Sequence, residues 1–254
     1  MTTTAYHGGP ITPYDVFDLV VDGGQRALCV SFYTPYQIEM AARDSSELMI
    51  DCGSFAAWTA NMKVGAQTII FDQAYWLAYY AFSAKWVRRP QDWCVIPDVI
   101  DAGSQEQDAL LREWPAELAR CGVPVWHMDE PVARLLRLID TYGRVCIGST
   151  AEYRVVGSPE WRERMDEVWN AIWTMFGAIP DVHMFRGLQC LLPSYDYPFR
   201  RVDSTNIARN HNRMKKHGSR SAWAIRQQID GWDRRNCPEV WPPDRLKQTS
   251  LITP

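Results

Sequence analysis

The sequence predicts a single-domain α/β protein folded as a (β/α)8 TIM-type barrel. Short apolar or β-branched runs recur along the 254 residues, and most are followed by a segment of helical period, which is the pattern of a parallel sheet. Polar residues also stand at the C-terminal ends of six different predicted strands: Ser31, Asp51, Asp98, His127, Ser149 and Asp203. A barrel assembles its site from several strand ends at one rim, whereas a doubly wound sheet uses one switch point. This distribution favours the barrel.

The strands come from the apolar runs. Seven are predicted, at 27–32, 47–51, 93–98, 123–127, 144–148, 182–187 and 199–203. The eighth strand, which a closed barrel requires, is expected within the first 25 residues, where the pattern is weak.

The helices fit between these strands. They are predicted at 72–86, 104–120, 131–141, 159–176 and 205–216. Ser104 with Gln107 is typical of a capping box, and Ser158 before Pro159 predicts an N-cap with proline at the first helical position.

Composition bounds the class of protein. Hydrophobic residues make up 46%, enough for a substantial core, and a net charge of −3 excludes a globally basic protein. The seven cysteines include no C-x-x-C pair, so neither a disulfide framework nor a zinc cluster is expected. With no long apolar run and no signal-peptide pattern, we expect a soluble, cytoplasmic protein without a membrane partner.

The chain after the last predicted strand is locally basic. Residues 200–226 carry eight Lys and Arg against the single acid Asp203, which fits either a solvated helix face or phosphate contacts. Interleaved Asn and His side chains favour phosphate contacts, and the residues expected to make them are Arg200, Arg201, Arg209, Arg213, Lys215 and Lys216. We expect the barrel over residues 1–236, with a basic helical segment at 204–232, and an irregular proline-rich tail at 237–254.

Asp51 and Asp203 are the candidate catalytic residues. Each follows a strand, and each also fits a turn or helix cap. Two carboxylates at one barrel rim suit the acid/base or nucleophilic cleavage of a glycosidic bond. Asp98, or Asp101, has the same capping alternative, and His127 fits either a core hydrogen bond or a ligand contact. Because these residues match no metal signature, no metal is predicted.

Five segments together resemble the tRNA-guanine transglycosylase superfamily, and within it the short phage and bacterial DNA-directed (DpdA-like) branch. They lie between Leu48 and Asn210: MIDCGSFAAW at 49–58, CVIPDV at 94–99, VCIGS at 145–149, VHMFRGL at 182–188 and FRRVDS at 199–204. No single segment is diagnostic. Their order and spacing carry the resemblance.

The resemblance implies a base exchange in which guanine is removed from a nucleotide in DNA and a free 7-deazaguanine, similar to preQ0, replaces it without a cofactor. It implies that Asp203 is the nucleophile at C1′, that Asp51 is the acid/base, and that Phe55 stacks on the base. Asp98 would bind the polar edge of the base, in a pocket lined by His127, Gly148, Ser149 and Gly187. The target base would be flipped or unpaired.

The chain departs from this family in ways that bear on the substrate. The tRNA enzymes carry a C-terminal zinc subdomain, and this chain has only Cys237 after Cys190, which favours DNA over tRNA. Cys52, Ser54 and Ala56 also differ from the family pattern. The alternatives are a tRNA-guanine transglycosylase, a hydrolytic nucleoside or DNA N-glycosidase, and a catalytically inactive nucleic-acid-binding barrel.

Overall fold

The computed structural model describes residues 2–62, 71–211 and 222–242, and it confirms the α/β barrel. The strands in these ranges are β1 (Thr4–Gly8), β2 (Ala27–Ser31), β3 (Glu47–Asp51), β4 (Trp93–Val95), β5 (Gly122–Val123), β6 (Val125–His127), β7 (Arg144–Gly148), β8 (Asp181–Met184) and β9 (Arg201–Ser204). All pair in parallel in one sheet with the order β5-β4-β3-β2-β1-β9-β8-β7-β6. The eighth strand expected near the N-terminus is β1.

The sheet curls into a nearly closed barrel because one stretch of chain contributes both of its edges. β5 pairs with β4, β6 pairs with β7, and only Pro124 separates β5 from β6. Proline has no N–H to donate, so the ladder is interrupted there, while its carbonyl still accepts from Cys146 N at 2.9 Å. β5 and β6 together therefore occupy the position of one strand in an eight-stranded barrel.

The helices of the described ranges surround the sheet. They are α1 (Tyr14–Val21), α2 (Ile38–Asp44), α3 (Ser54–Asn61), α4 (Gln73–Trp86), α5 (Ser104–Glu113), α6 (Val132–Tyr142), α7 (Pro159–Phe176), α8 (Asn206–Asn210) and α9 (Ala222–Asp233). None of them is both long enough and apolar enough to cross a membrane.

The helix-start predictions have opposite outcomes. At α7, Ser158 Oγ accepts from Trp161 N at 3.2 Å with Pro159 at the first position, as predicted. The capping box at α5 is wrong, because both of its side chains have tertiary partners. Ser104 Oγ donates to Glu130 at 3.0 Å, and the Gln107 amide donates to Val99 O at 2.6 Å.

Several element bounds differ from the sequence prediction. The helix predicted at 104–120 ends at Glu113 because the residue before Pro115 disfavours helical backbone. The strand predicted at 93–98 ends at Val95, before Pro97. Of the helix predicted at 205–216, α8 is the described part, and residues 212–216 lie outside the described ranges.

Alternation along the strands separates two apolar regions. Cys29, Met49 and Cys146, one on each of three strands, are buried in one apolar cluster, which also includes residues of α1 and α4. The alternate residues of the strands, such as Val145 and Val182, face the helices and pack with α7. Fully buried tryptophans supply much of this outer layer: Trp126, Trp161, Trp169 and Trp241.

Charged side chains occupy the amino end of the barrel interior. Arg201, the first residue of β9, lies 3.2 Å from Glu47 and 3.0 Å from Asp181, which begin β3 and β8. Its guanidinium also donates to Tyr6 Oη at 3.2 Å. Neighbouring Arg200 donates to Ile179 O at 2.8 Å. Both arginines are thus bound to protein groups at the end of the barrel opposite the strand carboxyl ends, which gives no support to their expected phosphate contacts.

Replacing Arg201 by Gln should destabilise the fold by about 2–3 kcal/mol. The change leaves Glu47 without its recorded cation, whereas Asp181 keeps Arg144 at 2.6 Å, and the partial exposure of these groups keeps the cost below that of a fully buried pair. Urea unfolding followed by tryptophan fluorescence measures it. Arg43→Gln, which removes a 73% exposed guanidinium, should have a much smaller effect on the free energy of unfolding. An equally small effect for Arg201→Gln would contradict a structural role for this network.

Candidate active site

Three aspartates from three strands meet at the carboxyl end of the barrel. Asp51 ends β3, Asp98 follows β4, and Asp203 lies near the end of β9. Burial, together with the negative charges of Asp98 and Asp203, raises the pKa of Asp51 to about 7. The three residues that the sequence analysis placed at the rim therefore share one electrostatic environment.

Asp51 also supports the turn that follows it. Its Oδ2 accepts from Gly53 N at 3.1 Å, so the capping interpretation of this carboxylate is partly right. Gly53 has a φ of +89°, and a Cβ there would lie 2.9 Å from Tyr33 N. Only glycine fits this position without strain, and the turn starts α3 directly behind the carboxylate.

Asp203 accepts two hydrogen bonds on the same oxygen. Its Oδ1 lies 3.1 Å from His183 Nε2 and 2.9 Å from Arg186 N. It does not cap α8, because Asn206 N is bound by Ser204 Oγ at 3.0 Å. Within the described ranges Oδ2 has no recorded hydrogen bond, so this oxygen is available to a substrate.

His183 was missed by the sequence analysis. It is fully buried among the rings of Tyr6, Trp93 and Phe185, at centroid distances of 5.7, 5.2 and 5.2 Å. Its Nδ1 has no hydrogen-bond partner among the described residues, which assigns the proton to Nε2 and makes that nitrogen a donor to Asp203. The available signal was its alternation with Val182 and Met184, which pack against the helices.

Asp98 and His127 form a second carboxylate–histidine pair. His127 Nε2 lies 2.9 Å from Asp98 Oδ2, and Cys52 Sγ donates to Asp98 Oδ1 at 3.1 Å. Burial lowers the pKa of His127, but the hydrogen bond and charge of Asp98 outweigh it, so the pKa is raised. Neither Asp98 nor Asp101 caps α5, which begins after Gly103 without a side-chain cap.

The orientation of His127 is fixed from behind. The Gln107 side chain exchanges two hydrogen bonds with the backbone of Val99, and this places its amide nitrogen 3.3 Å from His127 Nδ1. Because an amide N–H faces Nδ1, that nitrogen accepts and Nε2 carries the proton given to Asp98. The Cys52 thiol is fully buried and burial raises its pKa, so it acts as a hydrogen-bond donor rather than as a nucleophile.

The other residues predicted to line the pocket, Gly148, Ser149 and Gly187, support the structure of the same rim. A Cβ at Gly148 would lie 2.9 Å from His127 Cδ2, so this glycine makes room for the imidazole. Ser149 is buried and its Oγ accepts from Trp161 Nε1 at 3.1 Å. Gly187 forms the tight turn after β8, where a Cβ would lie 2.7 Å from Met184 O.

Phe55 presents an exposed aromatic face at the mouth of the barrel. It is 44% exposed and lies 6.0 Å from the ring of Trp58, whose indole N–H donates to Asp101 at 2.9 Å. The guanidinium of Arg186 lies 4.4 Å from the Phe55 ring centroid. The face is therefore backed by one fixed ring and covered by one cation.

The predicted nucleic-acid-binding residues divide between the two ends of the chain's last strand. Arg209 is exposed on α8, after the carboxyl end of β9, whereas Arg200 and Arg201 are bound at its amino end. Arg213, Lys215 and Lys216 lie outside the described residues. In the described ranges, no group of three or more His, Cys, Asp or Glu side chains could hold a metal ion.

Comparison with known proteins assigns no family: no protein-family model matches the chain, and no curated protein matches it.

Asp51→Asn should stabilise the protein above neutral pH. A folded pKa of about 7 exceeds the ordinary 3.8, so wild-type stability falls as pH rises from about 4, where the unfolded chain ionises, to about 7, where the folded chain does. The gain from Asn should grow over this window to at most about 4 kcal/mol, as measured by urea unfolding at pH 4 and pH 8.

The matched control for this pH series is Asp140→Asn, on the exposed surface of α6. It should change the free energy of unfolding by less than about 0.5 kcal/mol at both pH values. A pH-independent difference between Asp51→Asn and the wild type would show that the carboxyl group is not held in a protonated form.

Proposed function

We propose that this protein is a DNA-guanine transglycosylase, which exchanges guanine in DNA for a preQ0-like 7-deazaguanine. The observation that supports this best is the contrast between two carboxylates at one rim. Burial raises the pKa of Asp51 to about 7, whereas Asp203 accepts N–H groups from His183 and Arg186. Carboxylates whose surroundings differ in this way divide into a proton carrier and a nucleophile.

The nucleophile is Asp203. Both of its recorded donors bind Oδ1, so Oδ2 is the oxygen that would attack the reacting carbon. A lone pair of Oδ2 forms the bond to C1′ while the C1′–N9 bond breaks and its electron pair leaves with the guanine. The carboxylate stabilises the positive charge that develops on the sugar and then captures it as a covalent intermediate.

Asp51 carries the proton in both halves of the exchange. Its carboxylic acid neutralises the departing guanine anion, and the resulting carboxylate takes the N9 proton from the incoming 7-deazaguanine. The N9 electron pair then attacks C1′ and releases Asp203 unchanged. A pKa of about 7 suits this task, because the group gives and takes a proton with little cost near neutral pH.

Base recognition falls to the other side chains of the rim. The exposed ring of Phe55 provides a stacking surface, and Asp98 supplies a carboxylate fixed by Cys52 and His127 for the donor edge of the base. Gly148, Ser149 and Gly187 bring backbone groups close to the same space. The resemblance to the DNA-directed branch supports DNA rather than tRNA as the substrate.

The test is incorporation of radiolabelled guanine or preQ0 into DNA, single-stranded and double-stranded, with tRNA in parallel. Asp203→Asn should abolish exchange and the covalent protein–DNA adduct seen on denaturing gels, whereas the exposed-surface control Asp140→Asn should leave both unchanged. Label in tRNA alone would overturn the DNA substrate. Release of free guanine without incorporation would make the protein a hydrolase, and binding without either reaction would make it an inactive barrel.

Asp51→Asn should slow guanine release by about 10²- to 10⁴-fold, the usual contribution of a general acid. In the wild type, the single-turnover rate of release should fall as pH rises above about 7, because the protonated form of Asp51 is lost. A flat profile from pH 6 to pH 8 would assign the proton to another group.

A further inference from the structure

We propose that Arg186 is the phosphate-binding residue of this site and that it holds a phosphodiester of the DNA strand beside the target nucleotide. The proposal rests on the proposed function, since it names how the same rim receives a polyanion. Arg186 was not among the residues that the sequence analysis selected. The structure places it between the candidate nucleophile and the stacking surface.

Charge at the rim creates the need for such a residue. Asp51, Asp98 and Asp203 share the carboxyl end of the barrel, and a DNA strand brings further negative charge to it. A strand can approach these carboxylates only where a cation compensates them. The compensating cation must stand close to Asp203, because the flanking phosphates of the target nucleotide lie close to its C1′.

Two other arginines near this rim, Arg134 and Arg164, are already paired. Arg134 forms ion pairs with Asp108 and Glu130, at 2.9 and 2.8 Å, and Arg164 pairs with Glu167. Across residues 2–62, 71–211 and 222–242, no ion pair with a carboxylate is recorded for Arg186. Its side chain is exposed and its guanidinium donates to one recorded acceptor, Ser149 O, at 2.9 Å. Several of its five N–H groups are thus available to a phosphate.

The backbone fixes Arg186 at this point. Its N–H donates to Asp203 Oδ1 at 2.9 Å, and its φ of +55° lies in the left-handed region that few non-glycine residues adopt. Gly187 continues the tight turn. Arg186 therefore combines a strained backbone with a direct contact to the candidate nucleophile. Strained residues cluster at functional sites.

The guanidinium covers the surface that the base would use. It lies 4.4 Å from the centroid of Phe55, on an otherwise exposed ring. A base stacking on Phe55 displaces the guanidinium, which then turns to the phosphate. Removing the side chain should therefore affect the two ligands differently. Binding of the strand should weaken, whereas binding of a free base should be unchanged or tighter.

The experiment measures the affinity of Arg186→Gln for a guanine-containing single-stranded oligonucleotide by fluorescence anisotropy, between 50 and 300 mM salt. Affinity should fall by about tenfold, and the slope of log K against log salt should decrease by about one phosphate contact. Binding of free guanine, measured by calorimetry, should be unchanged or tighter. Arg43→Gln removes an exposed guanidinium from α2 and should change neither quantity.

Two further variants keep the test independent of folding. Arg186→Gly suits the left-handed backbone, retains the N–H to Asp203 and should lose oligonucleotide affinity as Gln does. Arg186→Lys keeps the charge without the planar fork and should recover part of it. An unchanged salt slope in folded Gln and Gly variants, or equal loss of oligonucleotide and free guanine, would overturn the proposal.

Deoxyguanosine monophosphate distinguishes the source of the phosphate. It should bind more weakly than the oligonucleotide, and equal Arg186-dependent affinity for the two would overturn the assignment to a strand phosphodiester. The two proposals also fail separately. Arg186-dependent oligonucleotide binding without base exchange would leave this inference standing and end the transglycosylase proposal, whereas exchange with an unchanged salt slope in Arg186→Gln would do the reverse.

Discussion

The two-residue period of a parallel strand is the constraint on which the rest of this barrel depends. Every second side chain faces inward, so one strand places chemically different groups at the two ends of the same interior. Arg201 and Asp203 on β9 are two residues apart, as are Asp181 and His183 on β8. Each of these strands therefore places a charged residue at the amino end of the barrel and a candidate functional residue at the carboxyl end.

The two ends differ in how their charges are compensated. At the amino end, Arg201 lies against Glu47 and Asp181, and Arg144 also pairs with Asp181 at 2.6 Å, so two cations balance two carboxylates within the protein. At the carboxyl end, no ion pair is recorded for Asp51 among the described residues, and burial with nearby negative charge raises its pKa to about 7. Between the two lies an apolar layer that includes Met49 and Cys146. The ion pairs at the amino end thus stabilise the fold, whereas the buried acid at the carboxyl end destabilises it. Barrels commonly divide stability and function between their two ends in this way.

Much of this arrangement follows from the sequence. The runs that became β3 and β7 are bounded as predicted, because apolar residues fill them and a polar residue or glycine ends them. Asp51, Asp98 and Asp203 were identified because parallel strands must end at one rim. The short helices α1 and α2 were missed, since neither has a side-chain cap, and their stability comes from packing on the barrel.

The contacts at the rim were beyond sequence reasoning because they depend on the stagger between strands. His183 is separated from Asp203 by 20 residues, yet parallel pairing of β8 and β9 brings their side chains to 3.1 Å. Arg200 and Arg201 were grouped with the basic segment because charge density along the chain does not reveal which end of a strand a residue occupies. Two positions along β9 separate Arg201, a cation in the interior network, from Asp203, a carboxylate at the mouth.

The turn that follows β8 joins two features of the site: the support of the candidate nucleophile and the cation beside it. Gly187 permits a tight reversal, and this reversal forces Arg186 into left-handed backbone with its N–H directed at Asp203. The same conformation sends the guanidinium outward over Phe55. A single turn therefore orients the candidate nucleophile through its backbone and presents a cation through its side chain. A glycine would fit this left-handed backbone with less strain and would keep the N–H to Asp203, so what the arginine adds at this position is the cation.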